Sequence, residues 1–144
     1  MRLLITSLLL ACLGSTVTAA QDSAATDIVN TETPAGQFYS SQLSLDQGFP
    51  FSDMVETTGG LIFISGLVGT DETGELVTGG LEAETHAIFR QMNTYLAHLN
   101  LNLTDVVKCL VMIDDIDQWG DFNGVYTQYF QTPYPARSAM GADG

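Results

Sequence analysis

Near the C-terminus, Tyr134-Pro135-Ala136-Arg137-Ser138 sets an arginine two residues after a proline. A guanidinium on stiff backbone can present two parallel N–H donors to a carboxylate, which makes Arg137 a candidate clamp for a small acid. The alternative is an ion pair with one of the seventeen acidic residues, and composition alone favours it, because such surface pairs are common. Other chemistry-bearing residues are sparse. His86 and His98 are too far apart in sequence to share one helical turn, so the expectation is two solvated imidazoles. Asp114, Asp115 and Asp117 start like a calcium loop, but no Gly or terminal Glu follows at the required spacing, and a solvated acidic turn is expected. Asn102-Leu103-Thr104 is a glycosylation sequon, meaningful in a eukaryotic host. No Cys/His cluster is present for zinc, and neither a metal nor a cofactor is expected.

The 144 residues suit one domain, and 45% of them are hydrophobic, far from a disordered composition. The first twenty, MRLLITSLLLACLGSTVTAA, carry Arg2, an apolar run from Leu3 to Leu13 and small residues up to Ala20, the layout of a secretory signal peptide. The run is shorter than the roughly 20 residues that cross a bilayer. No stable membrane span is therefore expected after cleavage, and the destination is periplasmic or secreted. Leu9-Leu10-Ala11-Cys12 loosely resembles a lipoprotein box with Cys12 as the lipidated residue. Cleavage leaves Arg90, Lys108 and Arg137 against seventeen acids, a formal net charge of −14. Such a surface repels phosphate backbones, which excludes nucleic acid as an expected partner. Cys109 is then the single cysteine and can form no internal disulfide.

Several elements must position Arg137. Residues 21–35 are polar and without period, and a flexible leader is expected there, followed by one domain over 36–144. Asp53–Thr57 and Gly60–Val68 flank Thr58-Gly59-Gly60 and predict a β-hairpin. Asp71-Glu72-Thr73-Gly74 predicts a turn, with a short strand at Glu75–Val77. Leu81–Leu99 has the apolar spacing of an amphipathic helix, Val106–Ile113 reads as a central strand, and Trp119–Phe130 reads as a second helix ended by Pro133 and Pro135. This order implies an α+β layer with both helices on one side of a mixed sheet. The sheet's other face has no helix to cover it, which points to a subunit partner.

Pro135-Ala136-Arg137-Ser138 resembles the signature loop of the Rid (YjgF) family of reactive-intermediate deaminases. Phe49-Pro50-Phe51-Ser52 resembles that family's approach to its site, and Leu61-Ile62-Phe63-Ile64-Ser65-Gly66 its second strand. Thr73-Gly74-Glu75 is similar to its turn, Asp105-Val106-Val107-Lys108 to the start of its central strand, and Asp121-Phe122-Asn123 with Tyr126 and Phe130 to its second helix. Each piece is short, and their common order from Pro50 to Ser138 is what carries the resemblance.

The resemblance implies a chorismate-mutase-like fold in a homotrimer, with clefts between neighbouring subunits. It also implies cofactor-free hydrolysis of enamine or imine intermediates such as 2-aminoacrylate to a 2-keto acid and ammonia. On it, Arg137 holds the substrate carboxylate, Ser65 and Gly66 shape the cleft wall, and Phe51 stands where the deaminases commonly have Tyr. Asn123 is a polar residue behind the cleft or at the subunit interface, or else a solvated helix-surface asparagine. A last strand bearing a water-positioning Glu is expected beyond Gly144, so the domain is expected to lack it here. Two alternatives accompany the deaminase reading: a non-catalytic trimeric module that binds small carboxylates or a protein, and a secreted chorismate mutase, disfavoured by so few cations.

Overall fold

The computed structural model describes residues 27–142. The signal peptide expected over 1–20, Cys12 within it and the first part of the expected leader lie outside these residues. Six strands and three α-helices follow: β1 Ile28–Thr33, β2 Gly36–Ser41, α1 Gln42–Asp46, β3 Met54–Thr57, β4 Ile62–Ile64, α2 Gly80–His98, β5 Lys108–Ile113, α3 Trp119–Tyr129 and β6 Ala136–Gly141. The α+β class stands. Its mixed strand directions are divided, however, between an antiparallel sheet in the order β1-β2-β3-β4 and a parallel β5-β6 pair.

The antiparallel sheet is a meander of hairpins. Residues 28–33, expected as part of a flexible leader, instead form β1, which pairs with β2 from Ile28↔Ser41 to Thr33↔Gly36. The strand shows no burial alternation because both of its faces are largely open to solvent, and what orders it is backbone pairing with β2. Gly36 is required where the hairpin closes. Its φ is +147°, and a Cβ there would collide with the Glu56 carbonyl of β3. The predicted hairpin is present as β3 and β4, turning through Thr58-Gly59-Gly60 with Gly60 at φ +82°. The expected strand at Glu75–Val77 is a single bridge, Thr70↔Leu76, tied to the turn in which Asp71 accepts from the Thr73 amide and hydroxyl.

α2 joins the two halves. Towards the antiparallel sheet, the His98 and Tyr39 rings meet in a T-shaped pair at 5.8 Å between centroids, and Gln91 donates to the Val68 and Thr70 carbonyls. Towards α3, Phe89 stacks on Tyr129 at 4.3 Å and meets Tyr126 and Phe130 edge-on. The main core comprises Phe89, Ile113, Phe122, Tyr126 and Phe130, with Cys109 and Val111 of β5 against it. β5 alternates strictly: Cys109, Val111 and Ile113 face this core, whereas Lys108, Leu110 and Met112 are exposed. Met140 of β6, opposite Met112, is exposed with them, so apolar strand residues stay uncovered on the face turned away from α3; Phe63 of β4 is exposed as well.

Candidate active site

Arg137 is the second residue of β6, so a strand carries it and not the proline-bounded loop that its neighbours suggest. Parallel register sets it beside Cys109, and pleat alternation turns both side chains towards α3. There the guanidinium carbon lies 4.4 Å from the Trp119 ring centroid, 4.4 Å from that of Tyr126 and 5.8 Å from that of Phe122. The three rings recur at the spacing of one helix face, which is why α3 presents them together. Ring faces attract a cation but offer it no in-plane acceptor. The ion pair that composition favoured is not formed among the described residues, and Arg137 Nη1 is buried without any hydrogen-bond partner.

Beside the guanidinium lies a cavity of about 320 Å³ lined by Asn123, Tyr126, Thr127, Tyr134, Pro135 and Arg137. Asn123, projected from the second turn of α3, is half-buried and lines the same cavity as Arg137. No lining residue carries a carboxylate or an imidazole, so the cavity supplies hydrogen bonds and one positive charge. Burial, followed by the charge and hydrogen bond of Cys109, pushes the Tyr126 phenol up to about 12. The Cys109 thiol is also raised, by burial first, so both groups stay protonated and the arginine is the charge that a ligand meets.

The other predicted site residues lie outside this cavity. Phe51 is exposed and stacks on Phe49 at 5.2 Å. Ser65 follows β4; its amide donates to the Asp53 carbonyl at 2.9 Å and its hydroxyl to the Ser52 carbonyl at 2.7 Å. Gly66 faces open space, where a Cβ would meet nothing within 4 Å. His98 is exposed as expected, whereas His86 is half-buried with Nδ1 2.7 Å from the Tyr129 hydroxyl and bridges α2 to α3. Its partner lies on a different helix, beyond the reach of local sequence. Asp114, Asp115 and Asp117 line an open recess with Ile116 and Gly141, and Asp115 caps the turn by accepting from the Asp117 amide. Trp119, against Arg137, and Tyr134, in the cavity lining, join the site without a local sequence signal for it. The helical spacing of Trp119 suggested core packing alone, and only β6 reveals what else its ring touches.

The family model described as endoribonuclease L-PSP matches residues 42–144. The human 2-iminobutanoate/2-iminopropanoate deaminase is 38% identical over 79 residues, covering 54% of this chain and 58% of that protein. The chain thus spans less than two thirds of that relative's length. A RutC family protein from Pyrococcus abyssi is 34% identical over 92 residues, covering 63% of this chain and 72% of the relative. Among solved structures, RidA from an Antarctic Psychrobacter superposes with a TM-score of 0.61 at 32% identity, covering 65% of this chain and 76% of its own. A protein from Thermotoga maritima, described as a possible endoribonuclease, gives 0.61 at 36% identity, covering 65% and 74%. No helix among the described residues is long and apolar enough to cross a membrane.

Proposed function

Because the chain belongs to the endoribonuclease L-PSP family, and relatives of it are named imine deaminases, we propose that it hydrolyses reactive enamine and imine intermediates of the 2-aminoacrylate type to 2-keto acids and ammonia. The observation that carries this reading is the buried, partnerless Nη1 of Arg137 at the edge of a cavity of small-molecule size. A donor withdrawn from water without an acceptor is costly, and a ligand carboxylate restores the balance with two charge-assisted hydrogen bonds.

The chemistry asks little more of the protein. After the enamine tautomerises, the protonated imine carbon is already electrophilic. Water adds to it, a proton moves to nitrogen, the C–N bond breaks, and iminium plus water becomes keto acid plus ammonium. Arg137 orients the carboxylate next to that carbon, and the Asn123 amide, which lines the same cavity, bonds the substrate or the attacking water.

The working form in this proposal is an exported homotrimer, in which a neighbouring subunit brings Phe51, Ser65 and Gly66 to the Arg137 cavity. The exposed Phe63, Leu110, Met112 and Met140 support an interface of that kind. The family's ribonuclease description is disfavoured for this chain, since Arg90, Lys108 and Arg137 are the Lys and Arg residues of the described part. One observation favours a second reading, a trimeric module that binds small carboxylates without turnover: neither the cavity lining nor Phe51 supplies a carboxylate or imidazole to move a proton near neutral pH.

The deciding experiment measures keto-acid release from enzymatically generated 2-iminopropionate or 2-iminobutyrate by wild type and Arg137→Ala. Turnover that the substitution abolishes upholds the deaminase. A folded wild type that never exceeds the buffer rate replaces it with the binding module.

A further inference from the structure

In the described residues nothing polar orients Arg137; aromatic rings do. Trp119 stacks on Phe122 at 5.4 Å with the planes 16° apart, and Phe122 and Tyr126 are buried, so the ring surface is rigid. The guanidinium lies 4.4 Å from the ring centroids at both ends of this surface, Trp119 and Tyr126. A carboxylate of the protein could orient the arginine equally well, but it would occupy the donors a ligand needs. A π-face holds the cation and leaves those donors open.

Trp119 and Tyr126 differ in what else they do. Tyr126 lies in the main core, lines the cavity and sits 3.9 Å from Cys109 through its hydroxyl. Trp119 is half-buried, stands at the start of α3, is absent from the cavity wall and meets the site through Arg137. We infer that Trp119 is a positioning residue for Arg137, setting the guanidinium plane so that its free donors face the carboxylate. The inference rests on the carboxylate-clamp reading above.

Trp119 is also the single tryptophan of the chain, so its emission reports on Arg137. In the full-length protein, titration with propionate, which does not absorb in the excitation band, is expected to change wild-type fluorescence saturably and to leave Arg137→Gln unchanged. In the imine assay, Trp119→Leu is expected to raise KM about tenfold, the loss of a partly desolvated cation–π contact, with kcat within about twofold of wild type. Trp119→Phe, which keeps a ring face, is expected to recover most of that KM.

An unchanged KM in a folded Trp119→Leu, or flat wild-type emission across the titration, overturns the inference. Should Trp119→Leu not fold, the fluorescence titration and the Trp119→Phe KM decide. Saturable quenching that Arg137→Gln loses, in a protein without turnover, upholds the ring-to-clamp coupling while the deaminase falls. Turnover with unaltered KM in Trp119→Leu removes Trp119 and leaves the deaminase standing.

Discussion

Asp53 and Arg137 are both charged residues drawn into the protein, one in each half, and they are treated in opposite ways. Asp53 is buried at the start of the β3-β4 hairpin, and its two oxygens are taken: one accepts the Ser41 amide at 2.6 Å, the other the Ser44 hydroxyl at 2.8 Å. The Ser41 and Ser44 hydroxyls join each other at 3.1 Å, and the Tyr95 phenol of α2 completes the group. Arg137 has rings around it and a buried nitrogen with no acceptor. Desolvation penalises both charges. Where the chain supplies the partners, the charge ties β2, α1, the hairpin and α2 together; where it withholds them, the partner is left to come from outside.

Substitution should separate the two centres cleanly. The largest effect is expected from Arg137→Leu: a roughly thousandfold fall in kcat/KM for an imino acid, two charge-assisted hydrogen bonds at about 1.5–3 kcal/mol each, with a urea midpoint that does not fall. A midpoint that drops sharply would make Arg137 a structural cation like Asp53's mirror image. Asp53→Ala is expected to do the reverse. It strands the Ser41 amide and the Ser44 hydroxyl and lowers stability by about 3 kcal/mol, while the folded fraction keeps its turnover. Equilibrium unfolding alongside the activity per folded subunit reads both quantities.

Alkaline pH tests what the two centres share. Burial first, then the Asp53 charge, raises the Tyr95 phenol from 10 to about 12; Tyr126 is raised to about 12 as well, but there the Arg137 charge acts in the opposite direction. A phenol whose folded pKa exceeds its unfolded one binds its proton more tightly when folded, so its contribution is complete below pH 10 and is lost as pH climbs towards 12. Unfolding followed across that window should show falling stability, and Tyr95→Phe and Tyr126→Phe should each flatten the fall to a similar degree, since both phenols are raised over the same interval. A fall that neither substitution changes would show that neither centre resists an added negative charge. Asn123→Ala should give the smallest change, about fivefold in kcat/KM with stability unaltered, as for one neutral hydrogen bond in an open cavity. Steady-state kinetics checks it.

Much of this was legible in the sequence. The 3.6-residue period of Leu81–Leu99 and Trp119–Phe130 and the β-branched run before Ile113 marked α2, α3 and β5, because those segments bury one face of their own. Arg137 stood out by its neighbours, and Asn123 by the order of motifs. What stayed hidden depends on partners distant in sequence. β1 is ordered by β2, and α1 by the Ser41 cap, whose hydroxyl accepts from the Ser44 amide. The buried Thr85, Ala87 and Phe89 of α2 lie partly off the apolar stripe read there, since this helix is covered from two directions. The role of Trp119 needed the neighbouring strand, and the division into two sheets needed the β5-β6 pairing.

The parallel register of β5 and β6 has a consequence for chain length. Cys109 opposes Arg137 and Leu110 opposes Ser138, so neighbouring positions on β6 look to opposite sides. A frame one step out would keep every ladder bond and still turn the guanidinium away from α3, bringing Ala136 or Ser138 to the rings instead. Residues 130–135, between α3 and β6, therefore work as a ruler as well as a connector. Their composition has latitude, but their number is a functional quantity, and adding or removing a single residue there should silence the site in a protein whose strands still pair.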